Sequence, residues 1–163
     1  MAILGDKDIS AMITQGFLIS ENFSEKSVTP NGYDFRAHQI RIDGSDFDKV
    51  DLMPGKFALV SSLEYFKMPN NVIGNIWLRS SFARKGLIGT FGVIDAGYHG
   101  NITVGLYNAG SAPVTLQTGE RVAQIVFSML MSEAEQDYGI RSGNYQGKRG
   151  IVEAHDNKKQ QLH

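Results

Sequence analysis

Residues 79–108 read RSSFARKGLIGTFGVIDAGYHGNITVGLYN, and the fold class turns on how they are read. Two apolar runs, 87–94 and 101–108, flank a turn built on Gly97, Tyr98 and Gly100, a pattern of paired β-strands and not of a helix. One isolated carboxylate, Asp95, follows Val93 and Ile94 at the end of the first run. Ahead of both runs, Arg79, Ser80, Ser81, Arg84 and Lys85 crowd cations and hydroxyls into seven residues. Such groups make charge-assisted, forked hydrogen bonds to phosphate oxygens. A phosphate-suited loop beside a lone base and an aromatic platform points to nucleotide chemistry.

Outward from this stretch the chain keeps the same cadence. Downstream, 114–116 and 120–130 read as strands, separated by turn signals at 108–110 and 118–119. Upstream, 72–78 (with Trp77, the only tryptophan), 64–68, 57–61 and 33–42 read as extended segments between Pro-, Gly- and Asn-containing turns. Turn signals recur at roughly 8–12 residue intervals, which argues for an all-β sandwich or barrel. Residues 80–85 suit one or two helical turns ended by Gly86. At the N-terminus a short helix is expected over 6–15, capped by Asp6, with Ile9, Met12 and Ile13 on one face and Gly16 past its end. A buried strand at 17–19 and a loop over 20–32 follow. From Ser132 the chain turns polar: 138–152 reads as a mobile arm that orders over a ligand, and 153–163 as a disordered tail. One domain over 1–152 is therefore expected.

Composition limits the function classes. The 163 residues carry 17 acids against 16 bases, a net charge of −1, so a polyanion must be met by a local cation cluster and no nucleic-acid surface is indicated. There is no cysteine, which excludes disulfides and thiolate metal sites. The four histidines (His38, His99, His155, His163) have no ligand spacing. The opening MAILGDKDIS lacks the basic and apolar regions of a secretory leader, and no apolar run approaches the roughly 18 residues of a membrane span. A cytoplasmic protein with no membrane partner is expected.

Four segments in order, NGYDFRA (31–37), RSSFARKG (79–86), GVIDAGYHG (92–100) and GERVAQIVF (119–127), resemble the first four motifs of the homotrimeric dUTPase and dCTP deaminase superfamily. ILGDKDI (3–9) and NYQGKRG (144–150) resemble its deaminase-type branch, so the resemblance extends to residue 152. It implies a distorted, jelly-roll-like β-barrel, a homotrimer with active sites at subunit interfaces, and dUTP as the small-molecule partner.

The roles carried over by the resemblance fall on single residues. Asp95 matches the aspartate that activates water for attack on the α-phosphorus; read without the motif, an Asp holding the turn before Gly97 is the lesser alternative. Tyr98 matches the ring stacked on deoxyribose. The backbone around 98–105, Val104 and Gly105 included, matches the uracil-reading hairpin. Arg79, Ser80, Ser81, Arg84 and Gln124 match phosphate-region contacts. Tyr138, Lys148 and Arg149 belong to the arm that would close over the nucleotide. Mg²⁺ is implied as cofactor, held by phosphates and water with no direct protein ligand, and with Asp34 supporting that water shell or a subunit contact.

The resemblance also discriminates among reactions. Deaminase members carry a glutamate ten residues after the motif aspartate, where this chain has Gly105; glycine cannot move a proton between water and a cytosine ring. The deaminase branch also has a lysine where this chain has Asn144. A zinc-type deaminase site is excluded by the missing cysteines. The resemblance therefore implies a Mg-dependent dUTP diphosphatase releasing dUMP and pyrophosphate. A dCTP deaminase or bifunctional deaminase–dUTPase, with another residue replacing the glutamate, is the alternative, and a non-enzymatic nucleotide sensor is the third.

Overall fold

The computed structural model describes residues 2–154. In chain order the elements are β1 (Ala2–Ile3), α1 (Asp6–Thr14), β2 (Leu18–Glu21), β3 (Val28–Thr29), β4 (Gly32–Ile42), β5 (Ser45–Phe47), β6 (Lys49–Leu52), β7 (Phe57–Ser62) and β8 (Tyr65–Lys67). Then come β9 (Val72–Leu78), α2 (Ser80–Ala83), β10 (Leu87–Thr90), β11 (Val93–Ile94), β12 (His99–Gly100), β13 (Thr103–Asn108), β14 (Val114–Gln117), β15 (Arg121–Met129) and α3 (Tyr138–Arg141).

The main sheet runs β10-β13-β7-β4-β15-β9-β11, with β1, β3 and β5 added at its margins, and it curls into a half-barrel. Smaller sheets, β12-β8-β2 and β14-β6, close its sides, and every pairing is antiparallel. The all-β expectation holds. β15 is central: it pairs with β4 on one edge and β9 on the other. Ile125 and Phe127 on β15 are fully buried, as are Tyr33 and Phe35 on β4 and Phe66 on β8. Burying each such side chain contributes about 1.5–3 kcal/mol.

Several local expectations are corrected. Helix α1 is capped at Gly5, not Asp6; Asp8 Oδ2 accepts from Gly5 N (3.1 Å), and Asp6 and Asp8 share the positive first turn. The apolar run 87–94 divides into β10 and β11, which pair with different neighbours, β13 and β9. The loop read over 20–32 contains the end of β2, a 3₁₀ turn at Glu25–Ser27 and β3. The strand read over 33–42 is β4, and β5, which forms a hairpin with it, and the short β6 occupy residues 43–52, to which the sequence reading assigned no element. The disordered tail called for 153–163 falls mostly on 155–163, outside the described residues; Glu153 accepts from Arg41 Nη1 at 3.0 Å.

Candidate active site

The segment 94–105 forms a wall because the Asp95–Tyr98 turn is tied down at three points. Tyr98 N donates to Asp95 O (3.2 Å), Gly97 N to Pro69 O (3.3 Å), and Met68 N to Tyr98 O (2.8 Å). Gly97 has φ +78°, a conformation that L side chains rarely adopt, and Asp137 of the C-terminal arm stands where its Cβ would project. Behind this turn lies a cavity of about 500 Å³ whose walls include Asp95, Tyr98, Val104, Gly105, Tyr138 and Tyr145.

Within the cavity the Tyr98 ring is fixed. Its hydroxyl donates to Asn101 O (2.7 Å), and its ring meets Tyr138 edge-on at 5.3 Å between centroids. Burial, with Tyr138 and Tyr65 nearby, pushes its hydroxyl well above the usual tyrosine range, so it stays neutral. The Asp95 carboxylate is exposed and, among the described residues, takes part in no hydrogen bond or ion pair. It is an uncommitted carboxylate at the cavity mouth.

The arm is bonded along this same wall. Tyr138 N donates to Ala96 O (3.1 Å), and Gly147 N to His99 O (2.8 Å). The Gln146 amide bridges two turn residues, accepting from His99 N (3.0 Å) and donating to Gly97 O (3.0 Å). Asn101 N donates to Lys148 O (3.0 Å), Gly150 N to Asn101 Oδ1 (3.1 Å), and Val152 N to Thr103 Oγ1 (3.0 Å). Arg149 is committed elsewhere: it forks onto Glu21 (2.6 and 3.0 Å), and its guanidinium lies 4.4 Å from the Tyr65 ring centre. Lys148 is exposed.

A second cluster gathers the other candidates. Asp34 Oδ2 takes Arg79 Nε at 2.8 Å, with Arg121 Nη1 at 3.7 Å, and Arg79 Nη1 donates to Arg121 O (3.1 Å). The Asp34 carboxylate is almost wholly buried, and burial raises its pKa against the pull of both guanidiniums. Gln124 stands directly across β15 from Asp34 and from Trp77, and donates to Thr29 Oγ1 (2.7 Å). On α2, Ser80, Ser81 and Arg84 are exposed, and their side chains have no partner among the described residues. Among the described residues, no group of three or more His, Cys, Asp or Glu gathers to hold a metal.

The structure thus brings Asp95, Tyr98, Val104, Gly105 and Tyr138 to one cavity, and places Arg79, Ser80, Ser81, Arg84 and Gln124 outside its lining. Asn101, Gln146 and Arg121 were not singled out by sequence reading. Only Arg121 had a signal there: Asp34, an acid in an apolar strand, calls for a counter-ion.

Residues 37–130 match the model of a family described as dCTP deaminase-like. The chain belongs to that family. It is 42% identical over 141 residues to a dCTP deaminase of Pyrococcus horikoshii, which covers 83% of this chain and 88% of that protein. It is 33% identical over 156 residues to a probable deoxyuridine 5′-triphosphate nucleotidohydrolase of Sulfolobus islandicus rod-shaped virus 1, covering 92% of this chain and 96% of that one. Among solved structures, the deoxycytidine triphosphate deaminase of Agrobacterium tumefaciens superposes with a TM-score of 0.68 at 20% identity, over 78% of this chain. This chain spans about half of that one (47%), and the likeness is one of fold. The relatives thus include both a named deaminase and a protein named as a probable hydrolase, and single residues must separate the two activities.

Proposed function

We propose that this chain is a dUTP diphosphatase, converting dUTP and water to dUMP and pyrophosphate. The observation that carries the reading is the pairing of an uncommitted carboxylate, Asp95, with the absence of any side chain at Gly105 in the same cavity. Asp95 takes a proton from a water that attacks the α-phosphorus, and the bond to the bridging oxygen breaks, releasing pyrophosphate. Tyr98 supplies a fixed neutral ring for the deoxyribose, and the backbone from 98 to 105 reads the base.

Arg79, Ser80, Ser81, Arg84 and Gln124 are read as phosphate-region contacts offered to a triphosphate in the cavity of a neighbouring copy, in a homotrimer. Asp34 then acts through Arg79, which its buried carboxylate orients. Mg²⁺ would take its ligands from the phosphates and water, in keeping with its preference for retained waters. When bound it supplies charge neutralisation on the triphosphate. Lys148 remains a candidate for the terminal phosphates.

The 42% identity to a dCTP deaminase favours a second reading, deamination or a bifunctional enzyme. Incubating the protein and Mg²⁺ with dUTP and with dCTP separately, and analysing base and phosphate products, separates the two. Pyrophosphate and dUMP from dUTP with dCTP unchanged support the diphosphatase; uracil products from dCTP reject it in favour of the second reading. Asp95→Asn is expected to lower turnover by about 10²–10⁴-fold with dUTP binding retained, and a wild-type rate in that variant removes Asp95 from the mechanism.

A further inference from the structure

The bare position in the cavity is not empty space. On the face of β10, β13 and β7 that floors the cavity, Thr90, Gly105 and Leu59 stand directly opposite one another, and all three line it. Phe57 shares that face two residues along β7 and pairs across with Tyr107. A Cβ built on Gly105 would lie 2.6 Å from Phe57 Cε2, closer still to Phe57 Cζ, and 2.5 Å from Thr90 Oγ1. Real side chains do not approach this closely, so nothing larger than hydrogen fits unless both neighbours move.

One neighbour, Thr90, is bonded to the glycine itself, and the other, Phe57, packs over it. Gly105 N donates to Thr90 Oγ1 (3.0 Å), and Thr90 Oγ1 donates back to Gly105 O (3.4 Å), so the hydroxyl is bonded to both backbone groups of the residue opposite. The Phe57 ring is 44% exposed and leans diagonally onto the one position of this face that lacks a side chain. Aromatic rings shield strand glycines in this way, and diagonal neighbours lie within their reach.

We propose that Phe57, backed by Thr90, is a specificity-determining residue of this cavity. Its ring takes the volume that an acidic side chain at 105 would occupy, so the site is shut to cytosine deamination by shape as well as by a missing group. Deamination adds water at C4 and expels ammonia, with a carboxyl carrying one proton from the water to ring N3 and the second from the new C4 hydroxyl to the departing amine, leaving C4 a carbonyl. Here the seat of that carboxyl is filled. The inference rests on the diphosphatase reading and adds to it that restoring the acid alone does not restore the reaction.

The test is a variant cycle read in two ways. Without nucleotide, Gly105→Ala is expected to lower the melting midpoint by about 5 °C or more, and by less than half as much in a Phe57→Ala background; equal losses in the two backgrounds overturn the proposal. With dCTP, ammonia is expected from Phe57→Ala/Gly105→Glu and not from Gly105→Glu. Ammonia from Gly105→Glu alone shows that the ring is no barrier, and none from either variant shows that it is not the remaining barrier; each overturns the proposal. Pyrophosphate release from dUTP by the wild-type protein reports on the diphosphatase reading by itself, and the melting cycle stands whichever way that assay falls.

Discussion

Asn101 connects more of the site than any residue with a chemical role. Its amide Nδ2 donates to Ser62 O (3.1 Å) and Glu64 O (2.9 Å), its Oδ1 accepts from Gly150 N (3.1 Å), and its carbonyl accepts from the Tyr98 hydroxyl (2.7 Å). One buried residue therefore ties the bend after β7 and the arm through its side chain, and the Tyr98 ring through its backbone carbonyl. That bend is itself rigid, because the fully buried Glu64 accepts from Tyr33 OH, Arg36 N and Arg36 Nε at 3.1, 2.9 and 2.8 Å. Asn101→Ala strands Ser62 O and Gly150 N, while Glu64 O keeps the Ser62 hydroxyl (2.8 Å), and each stranded group costs about 1–3 kcal/mol. The expected outcome is a folded protein destabilised by about 3 kcal/mol in denaturant, with KM for dUTP raised more than kcat is lowered, since Asp95 has no bond to Asn101. A kcat loss with unchanged KM contradicts this placement.

Among the elements, the arm shows what local sequence can and cannot reveal. The helical turn ended by Gly86, the Asp–Gly–Tyr turn and the strand cadence were legible because each is written in neighbouring residues: a glycine stop after 80–85, glycine at a positive φ, apolar runs between turns. The β4–β5 hairpin and β6 were not, because Ser45–Phe47 is exposed throughout and Lys49–Leu52 buries only Leu52 fully, leaving almost no apolar signal. The arm's docking was invisible for a different reason. Its contacts are hydrogen bonds between backbone groups and single amides such as Gln146, which carry no periodicity. The Arg149–Glu21 pair is largely exposed and is worth at most about 1 kcal/mol, so Gln146 is expected to dominate the latch. Gln146→Ala removes the bonds to His99 N and Gly97 O. Hydrogen exchange at 145–150 is then expected to speed up by about 5–30-fold, while β4 and β15 keep their protection. Uniform acceleration across the sheet signals a global loss of stability and counts against a local latch.

For the whole molecule, the decisive feature is that one chain holds two separate sets of uncommitted polar groups. Asp95 opens on the cavity, while Arg84, Ser80 and Ser81 stand free beyond its lining. Register puts Trp77 and Val93 on one face of the sheet, since Trp77 faces Gln124 and Val93 faces Asn75. These two apolar side chains are 61% and 53% exposed, one opposite Gln124 beside the Asp34–Arg79 pair and the other at the cavity wall. A face of this kind, apolar between two sets of uncommitted polar groups, suits contact with a second copy. The trimer proposal then makes a quantitative prediction. Asp95→Asn and Arg84→Ala are each expected to be nearly inactive as pure assemblies, the first lacking the base and the second a phosphate contact. If each working site draws Asp95 from one subunit and Arg84 from its neighbour, assemblies formed from equal pools contain intact sites wherever an Arg84→Ala subunit supplies the carboxylate and an Asp95→Asn neighbour the guanidinium. Each condition is met half the time, so about one quarter of the wild-type rate per site returns on unfolding and refolding the two together. Sites confined to single chains recover nothing on mixing, because every chain then lacks one of the two groups.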